Sequence, residues 1–149
     1  MPEKETIRKA RQDKREGKAP STQAGEFVHE EIEHIRHGKH GARSTKQAIA
    51  IGLSKARRAG VKLPPPPKGR ASAGRRKQAE HDLEQAKSHH EPSAKRSRAT
   101  RTALKHEGRS AASKKALSRQ AKTASKKRSA ASRHNAAVKA AKTRKRTAR

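Results

Sequence analysis

The groups in this chain best placed to do chemistry are its cations. Between residues 93 and 149, twenty lysines and arginines stand against a single acid, Glu107, so this stretch carries +19 of the net +28. Lys95, Arg96, Arg98, Arg101, Arg109, Lys114, Lys115, Arg119, Lys122, Lys126, Lys127, Arg128, Arg133, Lys139, Lys142, Arg144, Lys145, Arg146 and Arg149 are the candidate contacts there. Each cation that pairs with a duplex phosphate releases condensed counterions, and about ten engaged cations would give a log–log salt slope near −9. With one phenylalanine and no tyrosine or tryptophan, the chain has no platform on which unpaired bases stack. Duplex DNA is therefore expected over RNA, held through its backbone without sequence reading.

A second candidate is the loop GKHGARST at residues 38–45. Two glycines free its backbone, and Lys39, His40 and Arg43 bring positive charge. The helix that follows, with Lys46 in its first turn, aims its N-terminal amides at the same spot. The spacing is not that of a nucleotide-binding P-loop, so the expectation is a docked backbone phosphate or an ordinary basic turn. Arg57 and Arg58, at the far end of that helix, complement its dipole and would face phosphates if the helix docks on DNA.

The histidines raise the question of a metal. In HEEIEH, residues 29–34, the residue four after His29 is Glu33, one position out of the zincin pattern. Glu26, Glu30, Glu31 and Glu33 are accordingly assigned to a solvated acidic face, or to pairing with the basic helix that follows. No nucleophile, base and orienting group share a recognisable frame. The reading is of a non-enzyme with no cofactor, no metal site and no catalytic residue. With zero cysteines, disulfides and thiolate metal sites are excluded.

The elements that position these groups begin with residues 44–60, STKQAIAIGLSKARRAG, where cap, stripe and stop agree. Ser44 and Gln47 form a capping box, and Gly60 with Val61 forms a C-terminal stop. Ala48, Gly52 and Ala56 make a strip of small side chains that a partner can approach closely. Before it, a helix capped near Ser21 or Thr22 and stopped at Gly38 lines up Ala24, Val28, Ile32 and Ile35, flanked by Phe27. A helical hairpin over residues 20–63 follows. By area its large side chains give about 1.5–3 kcal/mol each, against the ordering of some forty residues, so a homodimer burying the same faces is the expected remedy.

Residues 1–19 read as a charged, frayed helix. Residues 64–92 read as a stiff proline run at 64–67 followed by a weak helix, broken at Glu91 and Pro92, that has no stripe to bury. Only 28% of the chain is apolar, which predicts extensive disorder and a basic Ala/Lys/Arg/Ser tail over residues 93–149. Like charges would hold that tail open until phosphate lets its helix-forming residues close. The pentapeptide RSAAS occurs in it twice, at residues 109–113 and 128–132. No apolar run approaches the roughly 18 residues of a membrane helix, and the N-terminus lacks the apolar segment of a secretory signal, so no membrane partner is expected. The fold class is thus mostly α with extensive disorder.

The segment HEEIEHIRHGKHGARSTKQAIAIGLSKARRAG resembles one shared by a family of small, basic, uncharacterised bacterial proteins, in which a His-Glu helix, a Gly-Lys loop and a KQAIAI-type helix recur. The resemblance spans residues 29–60 and implies a bacterial origin and a compact helical unit. The tail is similar in composition to those of linker histones and bacterial histone-like proteins, apart from its lack of proline. Together these lead to an expected nucleoid-associated, cytoplasmic, non-specific duplex-DNA binder. An RNA or ribosome-associated protein, or an interaction adaptor with a localising tail, are the alternatives.

Overall fold

A computed structural model describes residues 2–88 and 93–147. The described residues include seven α-helices and one 3-10 turn: α1 (Lys4–Arg15), α2 (Pro20–Arg36), α3 (Thr45–Arg58), α4 (Ala73–Ser88), α5 (Ala94–Lys105), the turn Ser110–Ala112, α6 (Lys114–Lys126) and α7 (Ala130–Thr147). Among them α2 and α3 form the expected hairpin. Ser44 Oγ accepts from the Gln47 amide at 3.2 Å, while the Gln47 side chain reaches back one residue further than a standard box, to the Arg43 amide at 2.8 Å. At the other end Val61 donates to Ala56 and Gly60 to Arg57, both at 3.0 Å, with Gly60 at φ +90°. This Schellman closure needs a residue free to enter the left-handed region. It recurs where α2 ends: Lys39 donates to His34 and Gly38 to Ile35.

The small-residue strip brings the two helix backbones together. A side chain on Gly52 would lie 2.7 Å from the Val28 Cα and 3.0 Å from the Phe27 carbonyl, so α2 is the partner that approaches there. Ala24, Ile35, Ala48 and Ala56 are fully buried and Phe27 nearly so. Two clusters form along this seam. One joins Phe27, Ala24 and Ala56 to Ala10 of α1 and to Val61. The other joins Ile32, Ile35 and Ala48 to Ala42 and to Ala111 and Ala112 of the 3-10 turn.

Three expectations are corrected by this arrangement. Helix α1 is not a frayed, solvated helix, because Thr6, Ala10 and Asp13 are buried as it packs on α2. The helix after the proline run does have a face to bury, because α4 packs on α3 and buries Ala79 and Asp82. The chain is not extensively disordered, and residues 93–147 are not an open tail. They form helices with no glycine or proline inside them, rich in Ala, Lys and Arg, and capped by Ser113 on the Ala116 amide and Ser129 on the Ser132 amide, each at 3.2 Å. Expecting an open tail meant counting large apolar side chains and overlooking alanines as core: Ala112 is fully buried and Ala111 6% exposed. The break expected at Glu91 and Pro92 lies outside the described residues.

Docking of the tail is mostly a backbone matter. The Gly41 amide donates to Leu104 at 2.8 Å and the Ala42 amide to Gly108 at 3.0 Å. Arg36 Nε donates to the Ala112 carbonyl at 3.0 Å, and Thr45 Oγ1 to that of Ala111 at 2.7 Å. Gly41 sits so tightly against the backbone of Glu107 and Gly108 that no side chain fits. Parts of the hairpin faces are thereby covered by α1 and the 3-10 turn of the same chain, while Val28, Ile49, Ile51 and Leu53 stay half-buried.

Gly52→Val is expected to lower stability by about 1–3 kcal/mol, since it must push two packed helices apart. Gly25→Ala, on the same hairpin with nothing near its would-be Cβ, is expected to hold or raise stability by up to about 1 kcal/mol. Thermal unfolding followed by circular dichroism compares the two.

Candidate functional site

Two polar surfaces stand out. The first is the set of cations on α5, α6 and α7: every described lysine and arginine from Lys95 to Arg146 is exposed. Helical geometry sorts them. On α6, Lys115, Arg119, Lys122 and Lys126 recur at spacings of four, three and four and so share one face, with Leu117 turned toward the core cluster. On α5, Lys95, Arg98, Arg101 and Lys105 follow a similar line. Lys139, Lys142 and Arg146 do so on α7. Arg96, Lys114, Lys127, Arg133, Arg144 and Lys145 are exposed around them, as is Arg109, whose guanidinium lies over Gly38. Some are partly engaged: Arg128 donates to Ser132, and Arg146 donates to the Glu16 and Gly17 carbonyls at 2.9 and 3.1 Å, at the C-terminal end of α1. Arg149 lies outside the described residues.

The hairpin cations fare differently. Arg43 and Lys46 are exposed beside the α3 N-terminus. Lys39 is exposed but paired with Glu3 at 2.9 Å. Arg57 turns inward, 7% exposed, donating to the carbonyls of Leu63 and Pro64. Burial pulls its guanidinium below the ordinary arginine value, with Asp82 opposing the shift. Arg58 donates to the buried Asp82 at 2.8 Å. These two arginines therefore pin the proline run and α4 to α3. The 38–45 loop is not an open phosphate cradle either, because the amides of Gly41, Ala42, Arg43 and Gln47 are spent on internal partners.

The second surface is the junction of α1, α2 and the 38–44 loop. The expected solvated acidic face is corrected here: Glu30 is 6% exposed and Glu31 fully buried. Lys55 of α3 donates to Glu31 Oε2 at 2.6 Å and lies 3.8 Å from Glu30 Oε1, so the pairing with the following helix is present. Glu30 Oε2 accepts from the Glu3 amide at 3.2 Å. His34 Nε2 donates to Glu3 Oε1 at 2.9 Å, and His40 Nε2 lies 3.2 Å from Glu31 Oε1. Hydrogen bonds from His34 and then Lys39 pull the Glu3 carboxyl down to about 2. A cleft of about 230 Å³ between α1 and α2 opens onto Glu30, His34 and Lys39.

Sequence reasoning missed Glu31, Lys55 and His40 as a unit. A signal was available: Ala24, Phe27, Glu31 and Ile35 share a stripe at spacings of three, four and four, so Glu31 occupies an apolar position. Lys55, one residue before Ala56 on the facing helix, is placed to meet it.

Residues 4–68 match a family described as a family of unknown function, DUF6496. The match takes in the segment at 29–60 whose resemblance is noted above, together with α1, and stops before α4. It does not reach residues 93–147, and no comparison supports a histone-like tail. No curated protein and no solved structure matches the chain.

Lys55→Met is expected to cost about 3–5 kcal/mol by stranding a buried carboxylate, and Lys55→Met with Glu31→Leu to recover most of it. Urea unfolding of the two single variants and the double variant reads the coupling. For Glu3, a carboxyl held low in the fold stabilises fully above its unfolded value near 4.5, and that contribution fades as pH falls toward 2. The NMR titration of Glu3 should centre near 2, and Lys39→Ala should move it up.

Proposed function

We infer that the protein binds duplex nucleic acid through its phosphates, without reading sequence, using the cationic faces of α5, α6 and α7 as preformed surfaces. The observation that carries this reading is the exposure of every described lysine and arginine between Lys95 and Arg146, with Glu107 the sole acid in that stretch. Such a surface attracts a polyanion at long range, and each phosphate it neutralises adds the free energy of counterion release. DNA is favoured over RNA because the chain lacks the aromatic side chains with which single-stranded RNA is usually gripped.

Folding changes how the contact is made. An open tail wraps and engages cations one after another, whereas a helix offers one face at a time. The α6 stripe from Lys115 to Lys126 spans about 16 Å at helical rise, enough to meet several phosphates at once. The hairpin serves as the frame, holding the tail helices through the 3-10 turn rather than contributing Arg57 or Arg58 to the contact.

Affinity measured over a salt series with duplex DNA and with single-stranded RNA tests this. Steep salt dependence is expected, with a stronger hold on DNA at matched salt. Replacing Lys115, Arg119, Lys122 and Lys126 by glutamine should reduce the log–log slope by about 3–4. A flat dependence overturns the reading, and equal or tighter RNA binding overturns the preference for DNA.

A further inference from the structure

We propose that Glu31, His34 and His40 form a binding site for a divalent transition-metal ion of the zinc class, where α2 meets the 38–44 loop. One carboxylate oxygen and one ring nitrogen from each histidine lie within 4.8 Å of one another. Around zinc, bonds near 2.0–2.1 Å in tetrahedral geometry place ligand atoms about 3.3 Å apart. His40 Nε2 and Glu31 Oε1 already stand at 3.2 Å.

Two further observations point to a cation. Glu31 is fully buried, yet its Oε1 has no hydrogen-bond partner: the His40 nitrogen is close but off the line a hydrogen bond needs. Glu30 Oε1, 3.9 Å from His34 Nε2, is likewise buried without a hydrogen bond. Lys55 supplies one positive charge to these two neighbouring carboxylates, and a buried carboxylate left with an orphan oxygen is costly. The second observation concerns the ring of His40. Its Nδ1 is 3.0 Å from the Gly41 carbonyl, which can only accept, so that nitrogen carries the proton. In the neutral ring Nε2 then presents a lone pair beside Glu31 Oε1 rather than at it, the tautomer and backbone support usual for a metal-bound histidine. His34 is held instead through Nε2, which donates to Glu3 Oε1, so Nδ1 is its nitrogen left to bind. The ligand set of two imidazoles and one carboxylate suits zinc, with a fourth position left for water.

Untagged full-length protein titrated with cobalt(II) gives the test. One equivalent should bind with the visible absorption of a tetrahedral site and be displaced by zinc, and zinc should raise the unfolding temperature. His40→Ala and His34→Ala should each abolish the absorption and weaken zinc binding at least ten-fold while the helical circular dichroism persists. His37→Ala, one residue past the end of α2, exposed and outside the cluster, should leave both unchanged. Absence of a one-equivalent site overturns the proposal, as does cobalt absorption that survives both His34→Ala and His40→Ala. In the first outcome Lys55 alone answers the two buried carboxylates, and in the second the ion sits on other surface histidines. Neither result depends on whether the chain binds nucleic acid.

Discussion

The closeness of α2 and α3 at Gly52 is the constraint on which the rest of this structure depends. A chain with 28% apolar residues and one aromatic cannot fill a core with bulk. It fills space by narrowing it. Ala48, Gly52 and Ala56 let the backbones approach until Phe27 and Ile35 suffice to close the seam. Alanine then works as core on every side: Ala10 from α1, Ala79 from α4, and Ala111 and Ala112 from the 3-10 turn. Dispersion attraction grows with the number of close atom pairs, so many small side chains at short range replace a few large ones.

The same closeness explains why a glutamate is buried. A broad stripe on α2 faces α3, and Glu31 stands in that stripe between Phe27 and Ile35. Once the helices meet, water is excluded from it whatever its polarity, and Lys55 is the nearest compensation. The ion pair is thus a result of the packing rather than its cause. A pair of this kind adds little net stability against an apolar substitute, but it fixes register, because sliding α3 by one turn would leave both charges unanswered.

The hairpin was legible in the sequence because its signals are local. Ser44, Gln47, Gly38 and Gly60 act on backbone groups a few residues away, and helix periodicity is visible within each segment. The fate of the tail was not legible in this way. What holds it is the contact of Gly41 with Leu104 and of Arg36 with Ala112, between residues far apart in sequence and made by groups every residue carries. Composition registered its repelling cations and could not register a docking site built from carbonyls. The acidic face misled for a related reason: Glu31 reads as solvated by type and as core by position, and position prevailed. Arg57 and Arg58 likewise read as cations awaiting a phosphate, whereas the carbonyls of Leu63 and Pro64 and the carboxylate of Asp82 claim them first.

The two copies of RSAAS show what docking through carbonyls entails. At residues 109–113 the two alanines enter the core and their carbonyls receive Arg36 and Thr45, while at 128–132 the same five residues lie at the surface where α7 begins. Identity of side chains does not decide the outcome; the seat offered by the hairpin does. A docking of this sort is insensitive to most substitutions, provided the side chains facing the seat stay small. Apart from those alanines and Leu117, and provided Gly41 of the hairpin loop stays without a side chain, the tail's residue types are free to drift, and its charge can be retuned without dismantling the frame that carries it.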